Sequence, residues 1–259
     1  MAKFIKVDIC RIRKEVLNKF FLIIIFFSLL VRFATPEDQL ENARILFLQG
    51  NYEQAIETTN KIKTVESLIL KSRILSIYTN FYLHGKKSEE SFLVAYQTAK
   101  KAIEMDPTND EAYVEAAHAL GRYGQKIGIM SAITKGIADR VKRYLDKALK
   151  INDNNILANL SKGIWHAEII NQAGKTVAKA VYGARTKNVL FHFKKVKEQK
   201  NSKEIGILYE LAYGYSLLNE EIYLKEAKTL ILELLVKNPS SDMDKVYIKK
   251  ASSLIKILP

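Results

Sequence analysis

The chain has 259 residues, with 41 Lys and Arg against 28 Asp and Glu, giving a formal net charge of +13. Its 11 Gly and 4 Pro are few for that length; strands joined by turns need both, so an all-β sandwich or barrel is excluded. With 48% apolar residues the chain can bury a sizeable helical core, whereas its single cysteine allows no internal disulfide and no Cys/His cluster for structural zinc.

The N-terminus comes first. Lys3, Lys6, Arg11, Arg13, Lys14 and Lys19 outweigh Asp8 and Glu15, and Phe20 to Val31 is then apolar except at Ser28. As a helix this run spans about 18 Å, short of the roughly 30 Å hydrocarbon core. A basic stretch, a short apolar stretch and then small Ala34 describe a secretory signal. Arg32 occupies a place where cleavage wants a small residue, so residues 1–34 read as a signal peptide or as an uncleaved N-terminal anchor. Cys10 precedes the apolar run rather than following it, which argues against a lipoprotein anchor. In either case positive charge before the apolar run places the remainder outside the cytoplasm. In a bacterial cell that is the periplasm, or the periplasmic face of the inner membrane. Without residues 1–34 the net charge falls to +8, and the stretch from Lys162 to Lys203 alone carries that excess.

From residue 35 onward one continuous helical domain is expected. Gly50-Asn51-Tyr52-Glu53-Gln54-Ala55-Ile56 resembles the turn and second-helix start of a tetratricopeptide repeat (TPR), a 34-residue helical hairpin. Ala43, Ala55 and Ile62 take the small positions of a first unit; Ala95, Ala99, Ala102 and Pro107 take those of a second. Lys147-Ala148-Leu149-Lys150-Ile151 and Phe193-Lys194-Lys195-Val196 repeat the unit ending at longer spacing. A last unit runs from Leu208 through Ala212 and Ala227 to Leu234 and ends at Asn238-Pro239. Extra length falls within two hairpins, near 125–137 and 172–187, where glycines cluster. Residues 84–91 are expected as a further loop, and 242–258 as a terminal solvating helix capped by Ser240 or Ser241. The fold class is therefore all-α: a TPR-like antiparallel helix-hairpin solenoid with long central units and a C-terminal capping helix, in which each hairpin hides its apolar stripe against its neighbours.

A closer resemblance rests on Leu120-Gly121-Arg122-Tyr123, Gly163-Ile164-Trp165-His166-Ala167-Glu168-Ile169-Ile170, Tyr182-Gly183-Ala184-Arg185 and Phe191-His192-Phe193-Lys194. These stand at the spacing of a group of exported bacterial TPR proteins, and the long-unit layout is similar to the regulator of microtubule dynamics family. The resemblance implies a fold and carries no activity.

Catalytic chemistry is not legible. Gly174-Lys175-Thr176 hints at a phosphate loop, but Ile169 stands where a Walker glycine belongs and a helix precedes it. No Gly-x-Ser-x-Gly elbow and no Cys/His nucleophile pair follow the targeting segment. His166 and Glu168 point about 200° apart on one helix and cannot chelate one ion together. His166 falls where an aromatic residue packs between hairpin helices, so it reads as a packed, hydrogen-bonded histidine, with a ligand contact as the alternative. The basic stretch with Trp165, Tyr182, Phe191 and Phe193 could stack bases, but an exported chain does not meet nucleic acid; a basic outer face or attraction to anionic lipid is expected instead.

TPR superhelices bind through the inner face of each first helix. The resemblance places Glu111, Val114, His118 and Arg122 there in one unit, Leu160, Ile164 and Glu168 in the next, and Tyr209, Tyr213 and Ser216 in the last. Arg122 offers a planar fork suited to a carboxylate. The expected function is thus a non-enzymatic binding protein of the cell envelope, with neither metal nor cofactor and with a protein or peptide partner. A solute-binding or transport-accessory protein holding a small molecule in the central repeats is the alternative.

Overall fold

Twelve α-helices follow one another between Pro36 and Ile257, with no strand among the described residues. The structure is a computed structural model that describes residues 35–259. The expected signal or anchor at 1–34 lies outside them. The helices are α1 (Pro36–Leu48), α2 (Tyr52–Asn60), α3 (Val65–Tyr82), α4 (Gly85–Met105), α5 (Asp110–Ile127), α6 (Ile129–Thr134), α7 (Ile137–Ile151), α8 (Ile156–Val177), α9 (Thr186–Lys197), α10 (Ile205–Ser216), α11 (Glu221–Leu235) and α12 (Asp242–Ile257). Residues 39–259 form one compact unit.

Consecutive helices pair as hairpins: α3 with α4, α5 with α7, α8 with α9 and α10 with α11. The first helices also touch along the chain, α3 to α5, α5 to α8, α8 to α10 and α10 to α12, and so form an inner layer. Several inner helices start on a side-chain cap. Thr64 and Ser67 form a reciprocal capping box on α3, as do Ser241 and Asp244 on α12, while Asn109 and Asn155 accept from the N–H groups of Ala112 and Ala158. Each cap satisfies backbone donors that a helix start leaves open.

The small residues sit where the repeat phase puts them. Ala43, Ala55, Ala95, Ala99, Ala102, Ala148, Ala212 and Ala227 are fully buried. The tightest packing centres on the Phe193 ring of α9. A Cβ added at Gly163 of α8 or at Gly214 of α10 would lie 2.3 Å from that ring. Glycine there lets three helices close on one aromatic side chain.

The extra length of the central units appears as expected, inside the hairpins. Between α5 and α7 the chain makes the short α6 and turns at Gly136, φ 58°. Near the end of α8, Gly174 leaves the helical region at φ 74° and ψ 157°, and a π-helical turn over Ala178–Tyr182 follows.

Two expectations are corrected. Residues 84–91 are not a loop: only His84 is extended, and Gly85 onward belongs to α4. Lys86 to Glu90 are good helix formers and place an i,i+4 pair on the surface, while Ser88 is buried and turns its hydroxyl onto the Gly85 carbonyl. Nor does α12 merely solvate the end of the solenoid. It packs on α10 and α11, and it also reaches the first hairpin: Met243 joins the cluster of Ala43, Tyr52, Ala55, Leu70 and Ile74. The C-terminal helix therefore joins the last repeat to the first, and the inner layer returns upon itself.

Candidate functional site

The inner layer encloses a cavity of about 840 Å³. Of the predicted residues, His118, Arg122, Leu160, Ile164, Glu168 and Tyr213 line it, and Ser216 does not. Glu111 does not; it lies on the surface and bonds Arg73. Tyr209 also stands outside the lining, stacked between Tyr213 and Tyr247 with ring centroids 6.5 and 5.3 Å away. Val114 is buried in the hairpin core. Among the cavity's other charged and aromatic groups, Arg73, Phe81, Glu115, Glu204, Glu210 and Tyr247 escaped the sequence reading. Arg73 carried a usable signal. Ser72 is the small residue of α3, its hydroxyl donating to the Ala95 carbonyl at 2.9 Å, and Arg73 follows it as His118 follows Ala117. Tyr247 carried none, because its place depends on where α12 docks.

Two polar networks stand in the wall of the cavity. Arg73 Nε donates to Glu115 Oε1 at 2.7 Å and its Nη2 to Glu111 at 3.2 Å. Arg122 Nη2 lies 3.5 Å from Glu210, and its Nη1 donates to Gln125 at 3.2 Å. Gln125 Nε2 donates in turn to Glu168 Oε1 at 2.7 Å, and the Tyr213 hydroxyl donates to the same oxygen at 3.3 Å. Arg122 is thus no open fork awaiting a carboxylate; the chain's own Glu210 and Gln125 hold it. Burial pushes the Glu168 carboxyl above its ordinary range, with the Arg122 charge pulling the other way. Burial likewise pushes His118 down, so its imidazole is neutral at neutral pH.

Ser161, His118 and Glu115 stand in the order of nucleophile, base and orienting acid. Ser161 Oγ is 2.5 Å from His118 Nε2, but His118 Nδ1 is 4.0 Å from Glu115 Oε2, too far for a hydrogen bond. Ser161 also lies within α8, where the backbone N–H groups are used by the helix and cannot form an oxyanion hole. Ser161, His118 and Glu115 thus do not form a catalytic triad in this geometry. No group of three or more His, Cys, Asp or Glu among the described residues could hold a metal ion. The lining also carries apolar side chains, among them Val141, Leu145, Leu157, Leu160 and Trp165.

His166 lies away from the cavity, packed between α8 and α9. It is 3% exposed, and its ring stacks on that of His192 with centroids 6.0 Å apart. Packing is as expected, but Nδ1 has no hydrogen-bond partner, so the hydrogen-bonded reading fails at that nitrogen. Burial, reinforced by the nearby Lys162 charge, pushes His166 down to about 3 and His192 to about 4.

Part of the basic stretch is locally neutralised. Lys162, Lys175, Lys194, Lys195, Lys197 and Lys203 each pair with a carboxylate, Lys162 with Asp146 at 2.6 Å and Lys197 with Glu226 at 2.6 Å. Most of these carboxylates lie outside the stretch, so sequence counting overstated its charge. No helix among the described residues is long and apolar enough to cross a membrane.

Comparison with known proteins places this fold. The sequence profile of the regulator of microtubule dynamics protein 1–3 family matches residues 39–258, and the chain belongs to that family. A crystal structure of a thermophilic TPR protein of Thermus thermophilus is similar, with a TM-score of 0.59 over 85% of this chain and 100% of that one. At 16% identity the likeness shows the TPR-like fold alone. No curated protein sequence matches the chain.

Proposed function

We propose that this member of the regulator of microtubule dynamics family is a non-enzymatic binding protein of the cell envelope that takes a compact ligand into its inner cavity. The observation that carries the reading is convergence: His118, Arg122, Glu168 and Tyr213, from three helices, face one cavity with Arg73, Glu115 and Glu210. A concave repeat surface is the usual binding surface of a solenoid. The volume falls within the roughly 300–1,000 Å³ of small-molecule sites. A helical peptide, about 10–12 Å across, needs an open groove, and α12 spans from the last repeat to the first where that groove would run.

A protein or peptide partner is the second reading. It is supported by Ile133, which lines the cavity and is more than half exposed, so that the cavity meets solvent beside the α6 insert. An extended chain end could enter there. The envelope location rests on residues 1–34 as sequence; a microtubule role does not follow for a chain directed out of the cytoplasm.

Native mass spectrometry of full-length protein purified from its own cell envelope tests the choice. A retained small molecule is expected. A protein that carries no small molecule but captures a peptide, in a manner blocked by Leu160→Trp inside the cavity, would establish the second reading instead.

A further inference from the structure

We propose that Glu115 and Ser76 in the cavity wall form a receptor for a primary ammonium group carried on an otherwise apolar molecule. The inference rests on the cavity-binding reading and names the chemistry of its ligand.

Two buried polar atoms in the cavity wall lack partners. Glu115 has a side chain 1% exposed; Arg73 occupies Oε1, and Oε2 accepts no hydrogen bond. Ser76, three residues after Arg73 on α3, lines the same cavity, and its Oγ is likewise buried and unpartnered. The only other side-chain atoms in the described residues left in this way are His166 Nδ1 and Glu220 Oε1 by the hydrogen-bond criterion, and Glu220 already has Lys175 at 2.9 Å. A buried carboxylate oxygen without a donor is costly, and each such atom in a folded protein calls for an explanation.

Charge points the same way. Two cations of the lining, Arg73 and Arg122, stand among its four carboxylates, Glu115, Glu168, Glu204 and Glu210, while Glu111, which also pairs with Arg73, lies outside it at the surface. Lys250, above the Phe81 ring at 4.7 Å, reduces that deficit by one charge without removing it. His118, neutral, does not contribute. An anionic head would meet repulsion here. A hydroxyl would supply one donor and no charge. An ammonium supplies three donors and the missing positive charge, enough for Glu115 Oε2 and Ser76 Oγ together. The same cavity is lined by Leu157, Leu160 and Trp165, against which the apolar body of the ligand would lie.

The ammonium could belong to a free amphipathic amine or to a lysine side chain in an apolar peptide, and the test separates them. Full-length protein is titrated calorimetrically with decylamine, decanoate, decanol and an acetylated, amidated Leu-Lys-Leu tripeptide. Decylamine is expected to bind one to one, at least tenfold tighter than decanoate and decanol. Glu115→Gln should weaken decylamine roughly ten- to a hundredfold while leaving decanol unchanged. Because Glu115 also anchors Arg73, Ser76→Ala serves as a gentler variant, expected to weaken decylamine several-fold with an unchanged melting curve. Tripeptide binding as tight as decylamine would assign the ammonium to a peptide lysine; tripeptide binding much weaker would assign it to a free amine. Equal binding of decylamine and decanoate would overturn the ammonium receptor while leaving a cavity ligand in place. Binding of every probe unchanged by Leu160→Trp would overturn both.

Discussion

The hydroxyl of Tyr52 donates to Asp242 Oδ2 at 3.0 Å across a separation of 190 residues. Tyr82 donates to the same oxygen at 3.0 Å, so one carboxylate at the start of α12 holds two tyrosines of the first repeats. Tyr52 also approaches Met243 sulfur at 3.2 Å, and the Tyr52, Tyr78 and Tyr82 rings lie within 6 Å of one another. Gly50 completes the joint. Its φ of 82° favours glycine, and a Cβ there would lie 2.9 Å from the Asp242 carboxylate. Asp242→Ala should therefore cost about 1–3 kcal/mol by leaving two hydroxyls short of an acceptor, read from urea denaturation. The control Asp139→Ala, on the surface of α7, should stay within about 0.5 kcal/mol. Equal losses would deny the joint any special weight.

Gly163→Ala and Gly214→Ala should each destabilise by roughly 1–3 kcal/mol, since the new methyl must displace the Phe193 ring. Gly121→Ala, in the helix α5 with its nearest neighbour at 3.9 Å, should instead gain up to about 1 kcal/mol from helix propensity. Ala148→Leu should join the first group and exposed Lys150→Gln should be silent. Thermal melts of the five proteins decide this.

Acid should weaken the fold through α8 and α9. His166 and His192 have folded pKa values near 3 and 4, below the ordinary 6.5. A histidine depressed in the folded state adds stability above pH 6.5, and that contribution drains away as pH falls towards the folded value. Each pH unit in the window costs about 1.4 kcal/mol per histidine at most. Glu168, raised in the fold, has the opposite sign and offsets part of the loss around its own titration. The melting temperature should drop between pH 6.5 and 4, and His166→Phe should flatten that slope. A slope unchanged in the variant would remove His166 from the account.

Arg122→Ala should lower stability by about 1–3 kcal/mol, because Glu210 would then face the cavity without its cation. The pair substitution Arg122→Met with Glu210→Met should recover most of that loss. Denaturant titration of the single and double variants measures both, and a double variant no better than the single would mean that the pair is not coupled.

A fusion of residues 1–40 to a reporter active only outside the cytoplasm should be active, and Ile24→Arg should silence it, because a charge in the apolar run costs several kcal/mol on insertion. An inactive wild-type fusion, beside an active control signal, would refute export.

Local spacing was enough for the hairpins. Ala102 before Pro107 and Ala148 before Ile151 announce helix pairs through contacts within one unit, and such contacts leave a period in the sequence. Part of the cavity was legible for the same reason: His118, Arg122, Leu160, Ile164, Glu168 and Tyr213 follow from register. What register does not reveal is who answers a side chain from another unit. Arg122 looked free because Glu210 is far along the chain, and the basic stretch looked bare because Asp146, Asp153, Glu226 and Glu233 lie outside it. The docking of α12 on the first repeat leaves no periodic trace at all.

That docking has a consequence for the order in which the chain is completed. Synthesis delivers the first hairpin early, yet Asp242 and Met243 arrive only near the end. Until they do, Tyr52 and Tyr82 have no acceptor and the cluster around Ala43 and Ile74 stays uncovered. An open solenoid can zip from any repeat to its neighbour; here the earliest-made repeat is among the last to be finished. A chain truncated after Pro239 should accordingly lose amide-exchange protection first in α2 and α3, far in sequence from the cut.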